Sequence, residues 1–276
     1  MDLTIVIVSF NTKKQLKKCL SSITEESQKI RKEIVVVDNA SDEGSAEEVR
    51  KFIKFIKSKN KDSKIKLSLI ENKENLGFAK AVNQGLRQFE GGVVLLLNSD
   101  TQVKPGALEK LLEFEKKVRP AIIGLKMLNP DGSVQGSVFN LPTAKRAVEE
   151  FWLGRKGSFS KFTPNSGMPM VVEAVSGGAM AISREVVDKI GLLDERYFMY
   201  FEDLDYCRRA RKAGFKIFYF PQAQVIHEHG ASGRNLAEKD DQWKRLIPSS
   251  KIYYGRLRHY LIFFITLIGQ RLKMKK

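Results

Sequence analysis

Only two cysteines and three histidines occur in 276 residues. Cys19 and Cys207 lack metal-ligand spacing, and each reads as a small hydrophobe in a reducing, cytoplasmic setting. No apolar run reaches the roughly eighteen residues that suggest a membrane-spanning helix. Met1-Asp2 runs straight into an apolar strand, so a signal peptide is not expected. The glycine fingerprint GxGxxG is absent after the first strand, as is the P-loop pattern, which argues against a dehydrogenase and against an ATPase. No nucleic-acid module is present either, so nucleic acid is not an expected partner.

Charge is what the sequence has in excess: 48 Lys and Arg against 32 Asp and Glu leave a formal net charge of +16. Solvated Lys- and Glu-rich faces account for such an excess, and so does an anionic ligand or an anionic membrane surface. The hydrophobic fraction of 42% supports a sizeable core, and the length suits one large α/β domain with or without an appendage.

Apolar runs alternate with helical spacing through residue 120. Leu3 to Val8, Glu33 to Asp38 and Val93 to Leu97 read as strands buried on both faces, and Ile65 to Glu71 as an alternating strand. Helices are expected from Thr12, its N-cap, to Ile23, from about Ser45 to Lys59, from Phe78 to Phe89, and after Pro105. This order predicts a parallel, doubly wound sheet. Residues 129 to 170 are rich in Gly, Pro, Ser and Asn with scattered aromatics, and read as a long mobile excursion over a ligand. Order resumes at Val171 to Ser183, then a short helix from Arg184 to Ile190. A strand at Lys216 to Phe220 precedes a loop carrying Pro221 and then His227.

Ligands of open parallel sheets bind beyond the carboxyl ends of the strands. Ser9-Phe10-Asn11, Asp38-Asn39-Ala40-Ser41 and Asn98-Ser99-Asp100 arrive at that edge. Asp38 either accepts a hydrogen bond from a base or ribose or caps its own turn. Asn75-Leu76-Gly77-Phe78 opens a helix with Lys80 in its first turn, which suits an anion, although a plain capped loop explains each residue singly. Asp100 is either a turn carboxylate or a ligand for a divalent metal on a diphosphate. Glu202, Asp203 and Asp205 stand among Tyr197, Phe198, Tyr200, Phe201 and Tyr206, where partial burial would raise a carboxylate toward general-base use. The competing account is a helix N-terminus decorated with acids opposite Arg208, Arg209 and Arg211. His227 is a candidate additional metal ligand, with His229 close by.

Taken in order, these segments resemble the inverting family 2 glycosyltransferases of GT-A fold, especially their rhamnosyltransferase-like bacterial branch. Ser176-Gly177-Gly178-Ala179, Phe198 to Asp205, and His227 with Gly230 and Ser232 complete the match, which spans residues 3 to about 235. The resemblance implies that Ser9, Asp38 and Asn75 contact the nucleoside, with Asn11 and Lys80 near it or the phosphates. It makes Asp100 the last Asp of the family's DxD metal motif, Asp203 the base, Glu202 a holder of acceptor hydroxyls, and His227 a completing metal ligand. One departure stands out: Asn98 replaces the first Asp of DxD. The implied cofactor is Mg or Mn, and the donor a UDP-, dTDP- or GDP-sugar. The acceptor would be a glycan or lipid-linked hydroxyl, reached by direct inverting displacement. A sugar-1-phosphate nucleotidyltransferase and a catalytically inactive membrane-associated relative are the alternatives, and a homodimer is a further expectation.

The expected architecture is therefore a mostly parallel central sheet flanked by helices over residues 1–235, with a nucleotide-sugar-binding half (1–125) and an acceptor half (126–235). A basic, amphipathic extension follows at 236–276. Its apolar centre, Tyr260 to Ile268, is nine residues long, too short for the roughly twenty that cross a bilayer. One apolar face with basic flanks suits a helix lying peripherally on the inner membrane face. Packing on its own domain or on a partner subunit is the other reading.

Overall fold

The computed structural model describes residues 1–26, 29–59, 64–228 and 245–273. Strands and helices alternate from the start: β1 (Leu3–Ser9), α1 (Lys13–Glu25), β2 (Lys32–Asp38), α2 (Ser45–Lys59), β3 (Ile65–Glu71), α3 (Phe78–Arg87) and β4 (Val93–Asn98). There follow β5 (Thr101–Val103), α4 (Ala107–Val118), β6 (Ala121–Leu128), β7 (Val134–Gln135), β8 (Val138–Phe139), α5 (Ala144–Phe151), β9 (Met170–Val171) and β10 (Ala174–Val175). The rest comprises β11 (Ala179–Ser183), α6 (Arg184–Ile190), α7 (Glu202–Lys212), β12 (Lys216–His227), α8 (Leu246–Tyr254) and α9 (Arg256–Lys273).

The main sheet runs β3-β2-β1-β4-β11-β6-β12-β5, with β7 on β6 and β9 on β12. Strands β3, β2, β1 and β4 are mutually parallel, as are β6 and β12, whereas β11 lies antiparallel between β4 and β6. Successive side chains of a strand point to opposite faces, so the apolar runs serve two cores. Ile5, Ile7, Ile34 and Leu95 join Leu16, Leu20 and Ile23 of α1 on one side. Val6, Val94 and Leu96 join Ala79, Val82 and Leu86 of α3 on the other. Every residue of β2 is buried, Lys32 included. Its ammonium donates to the carbonyls of Ile23 and Glu26 at 3.1 and 2.9 Å, satisfying acceptors at the end of α1.

The structure corrects one expectation and adds detail to two others. β12 does not stop at Phe220: its register shifts between Phe220 and Gln224, and pairing then resumes to His227. A bulge absorbs Pro221, which has no N–H to give a ladder. The excursion at 129–170 carries β7, β8 and α5, and Thr143 caps α5 by accepting from the Arg146 N–H. Thr12 stands at the start of α1 without a side-chain cap; its hydroxyl instead bonds those of Ser9 and Ser99 at 3.0 and 2.8 Å. The expected division at residue 235, with Gly230, Ser232 and His229, lies outside the described residues.

The C-terminal helices pack on the domain. The Arg208 guanidinium stacks 4.0 Å from the Tyr253 ring centroid, and the Ser249 hydroxyl donates to the Met199 carbonyl at 2.7 Å. α9 crosses α5 at Gly269, where a Cβ would come within 2.6 Å of Phe151. No described helix is long and apolar enough to cross a membrane.

Close approach of α3 to β1 sets the edge on which the site is built. Gly85 is buried, and a Cβ there would collide with both methyls of Val6. In Gly85→Ala, helix propensity gains about 1 kcal/mol, but forcing a methyl into Val6 costs about 1–3 kcal/mol. A Cβ 2.4 Å from a Val6 methyl puts the cost in the upper part of that range, so overpacking should win. Urea unfolding should show a net loss of up to about 2 kcal/mol at unchanged m-value, and a midpoint at or above wild type would disprove this packing.

Candidate active site

The carboxyl ends of β1, β2 and β4 and the start of β11 meet at one edge of the sheet. The non-glycine residues with positive φ among those described are Asn11, Ala40, Tyr200 and Phe201. Asn11 and Ala40 follow β1 and β2, and Tyr200 and Phe201 lead into α7. Left-handed backbone costs a bulky residue on the order of 1 kcal/mol or more, and such strain gathers at functional sites. The turns enclose a cavity of about 670 Å³, lined by Asn98, Asp100 and His227 on one side and by Glu202 and Asp203 on another.

Asp100 and His227 are both buried. Asp100 Oδ1 lies 3.2 Å from His227 Nε2, yet it makes no hydrogen bond. His227 Nδ1 is 2.6 Å from Gln135 Oε1; in the tautomer with its proton on Nδ1, that nitrogen donates to Gln135 and Nε2 is the acceptor beside Asp100. The Asn98 amide nitrogen, 3.4 Å from Nε2, faces it as a donor. An oxygen and an imidazole nitrogen converging with lone pairs outward fit a divalent cation such as Mg or Mn. No group of three or more His, Cys, Asp or Glu side chains with metal-site geometry occurs among the described residues. A cation here would therefore draw its remaining ligands from a bound diphosphate and water.

Glu202 and Asp203 begin α7. Asp203 is partly exposed, and both its oxygens accept backbone hydrogen bonds, from Gly177 N at 3.0 Å and Leu204 N at 2.8 Å. Glu202 is buried with Oε2 unbonded. Loss of hydration, and next the Asp203 charge, push the Glu202 carboxyl up to about 8. Burial raises Asp203 as well, while the Gly177 N–H and the Lys161 charge hold it back. Glu202 is thus the more readily protonated of the pair, and Asp203 the one whose anion is favoured by fixed dipoles.

Asp205 belongs to neither. It is clamped by Arg208 and Arg209 at 2.6 and 2.8 Å, an ion pair internal to α7.

The residues expected at the nucleoside divide. Asn75 lines the cavity, and its Oδ1 accepts from Asn39 Nδ2 at 2.7 Å and Gly77 N at 3.0 Å. Asp38 accepts from Ser41 N through one oxygen, while the other, buried, has no partner; burial raises its carboxyl. Ser9 is fully buried in the hydroxyl chain with Thr12, and Asn11 ties the turns after β1 and β2 through Ser41 and Asp42. Gly77 brings the backbone close to Phe198, not to open space: a Cβ would meet the Phe198 carbonyl at 2.5 Å, and Phe78 N already donates to that oxygen. Lys80 is exposed, does not line the cavity, and places its charge by Glu195.

Lys161, from the excursion, is the basic residue on the cavity wall. Sequence reasoning missed it, along with Asn39 and Gln135. Asn39 stood inside a quoted strand-end motif, so its position was a usable signal. Lys161 and Gln135 sit in a segment without periodicity and gave none.

A family model described as glycosyl transferase family 2 matches residues 4–191. The N-acetylglucosaminyl-diphospho-decaprenol L-rhamnosyltransferase of Mycobacterium tuberculosis is 27% identical over 85% of this chain and 79% of its own. Rhamnosyltransferase WbbL of Escherichia coli is 26% identical over 64% of this chain and 67% of its own. Among solved structures, GalNAc-T7 with UDP, GalNAc and Mn2+ aligns at TM-score 0.62 and 19% identity, over 82% of this chain and 43% of that one. The Pyrobaculum calidifontis mannosyltransferase PcManGT with GDP-Man and Mn2+ aligns at TM-score 0.60 and 16% identity, over 94% of this chain and 63% of that one. This chain thus spans less than two thirds of either solved chain, and these likenesses establish the GT-A fold. With more than half its length matched, the chain belongs to glycosyl transferase family 2, and its curated relatives include rhamnosyltransferases.

Proposed function

We propose that the enzyme moves a rhamnosyl-type sugar from a nucleoside diphosphate to a hydroxyl of a lipid-linked glycan acceptor, with inversion at the anomeric carbon. The observation that carries this is one cavity holding Asp100 with His227 on one wall and the Glu202–Asp203 pair on another. Donor and acceptor chemistry each have a dedicated set of groups. The lipid-linked acceptor in the name of the M. tuberculosis relative supports the acceptor class.

Asp38, through its unpartnered oxygen, and Asn75 would receive the nucleoside. Asp100 and His227 would hold Mg or Mn, which when bound supplies positive charge to the departing diphosphate. Gln135 and Asn98 orient His227 for that task. Asp203 would take the acceptor hydroxyl proton as that oxygen attacks the anomeric carbon. Glu202, protonated, would donate a hydrogen bond to an acceptor oxygen. Lys161 would keep the paired carboxyls from both becoming neutral. A lipid-linked acceptor would bring the enzyme to the inner membrane face.

Nucleoside diphosphate release, followed across UDP-, dTDP- and GDP-sugars with a prenyl-diphosphate-linked acceptor, tests the reaction itself. Asp203→Asn should lower turnover by about 10²–10⁴-fold with nucleotide affinity unchanged; near-wild-type turnover would remove Asp203 as the base. Asp100→Ala should weaken nucleoside diphosphate binding only with Mg²⁺ or Mn²⁺ present, and equal weakening after chelation would make it a turn residue. Titration of Glu202 supplies a third measurement. Its folded value of about 8 exceeds the ordinary 4.5, so between these pH values the folded chain holds a proton that the unfolded chain has lost. Stability contributed by this group therefore falls as pH rises through that window. Glu202→Gln should flatten the decline in thermal midpoint from pH 5 to 8, and an unchanged slope would mean that Glu202 titrates normally.

A further inference from the structure

α9 is apolar on two opposite sides. One side is spoken for: His259, Ile262 and Gly269 are buried, and the Trp152 indole N–H donates to the Ile265 carbonyl. The opposite side presents Leu257, Tyr260, Leu261, Phe264 and Ile268, with relative exposures of 89, 48, 53, 55 and 46%. Their spacing of three and four residues puts them on one stripe. Exposed single hydrophobes are ordinary, but a continuous stripe on an 18-residue helix marks an interaction surface. Trp152 and Leu153, at the end of the helix that α9 crosses, are also exposed, at 49 and 64%.

Charge decides what covers this stripe. Residues 245–273 contain six Lys and Arg and no Asp or Glu. Arg256, Arg258 and Arg271 are exposed along α9. A second copy of the same surface would oppose these charges to themselves, whereas an anionic bilayer complements them and receives the aromatic and aliphatic stripe at its headgroup boundary. The same helices also build the cavity: Phe151 of α5, and Leu246 and Tyr254 of α8, line its wall. Gly255, at φ 78°, turns the chain directly from α8 into α9.

We infer that the outer face of α9, with Trp152 and Leu153, seats in the interface of an anionic bilayer and brings the α5–α8 wall of the cavity to the membrane, so that a lipid-linked acceptor enters from the bilayer side. This rests on the acceptor class proposed above, and the lipid contact can be measured without it.

Full-length enzyme would be sedimented with phosphatidylglycerol-containing and with pure phosphatidylcholine vesicles, beside Leu257→Glu/Phe264→Glu. The wild type should pellet with the anionic vesicles and release as salt rises. The double variant should partition about a hundredfold less, since each of the two lost apolar side chains is worth about a decade. Both substituted positions are exposed, so the thermal midpoint should hold. With a short, water-soluble acceptor the variant should turn over like wild type, and with a membrane-embedded acceptor it should fall by the partitioning factor. Equal sedimentation of both proteins overturns the inference while leaving the reaction intact. A wild-type dimer that the variant converts to a monomer, without vesicle binding, overturns it in favour of a subunit interface. Loss of turnover on the soluble acceptor would place the stripe in the site itself and also overturn it.

Discussion

The insertion of β11, antiparallel, between β4 and β6 is the constraint on which the site depends. Running against its neighbours, β11 begins where β4 ends, so Ser176-Gly177-Gly178 arrives at the carboxyl edge of the sheet. Gly178 O accepts from Asn98 N at 3.0 Å, and Gly177 N donates to Asp203 Oδ2 at 3.0 Å. One dipeptide thus fastens the turn after β4 and the carboxylate pair to the same strand end. Side chains are excluded there for a physical reason: a Cβ on Gly178 would lie 2.9 Å from Met127 and 3.1 Å from the Asn98 amide.

Fixing two carboxyl groups side by side at the start of a helix is costly unless their charges are divided. Glu202 and Asp203 both lose hydration, and their proximity means that one proton is shared between them most readily. Backbone N–H groups of Gly177 and Leu204 bond both oxygens of Asp203, which favours the anion there, while Glu202, with Oε2 unbonded and its own N–H as backbone donor, is the readier to hold the proton. The strained Tyr200-Phe201 entry, packed under Tyr253 and Tyr254, keeps α7 from turning its acids into solvent.

The parallel half of the fold was legible because its strands are continuous apolar runs and its helices have apolar positions three and four apart. Periodicity was silent for what followed. β11 reads as an ordinary apolar strand whether parallel or antiparallel, and β12 carries a proline that normally ends a strand but here sits in a bulge. The acidic cluster offered two accounts, a catalytic site or acids balanced by arginines, and the structure gives the arginine account to Asp205 alone. Asp205 takes Arg208 and Arg209, which leaves Glu202 and Asp203 unpaired with either. Spacing alone could not make that division, because residues 202, 203 and 205 lie within one helical turn. Lys80 and Gly77 show the opposite failure: a motif suited to an anion is turned by tertiary packing against Phe198 and Glu195.

Asn98 in place of an expected carboxylate follows from its neighbours. With the His227 proton on Nδ1 toward Gln135 Oε1, Nε2 faces Asn98 and Asp100 as an acceptor. A second carboxylate at position 98 would set two anions and a lone pair around one buried point, favourable only with a cation always in place. An amide instead faces Nε2 with a donor. Neutrality at position 98 thus suits a buried cluster whose other members, Nε2 and the unbonded Asp100 Oδ1, are acceptors.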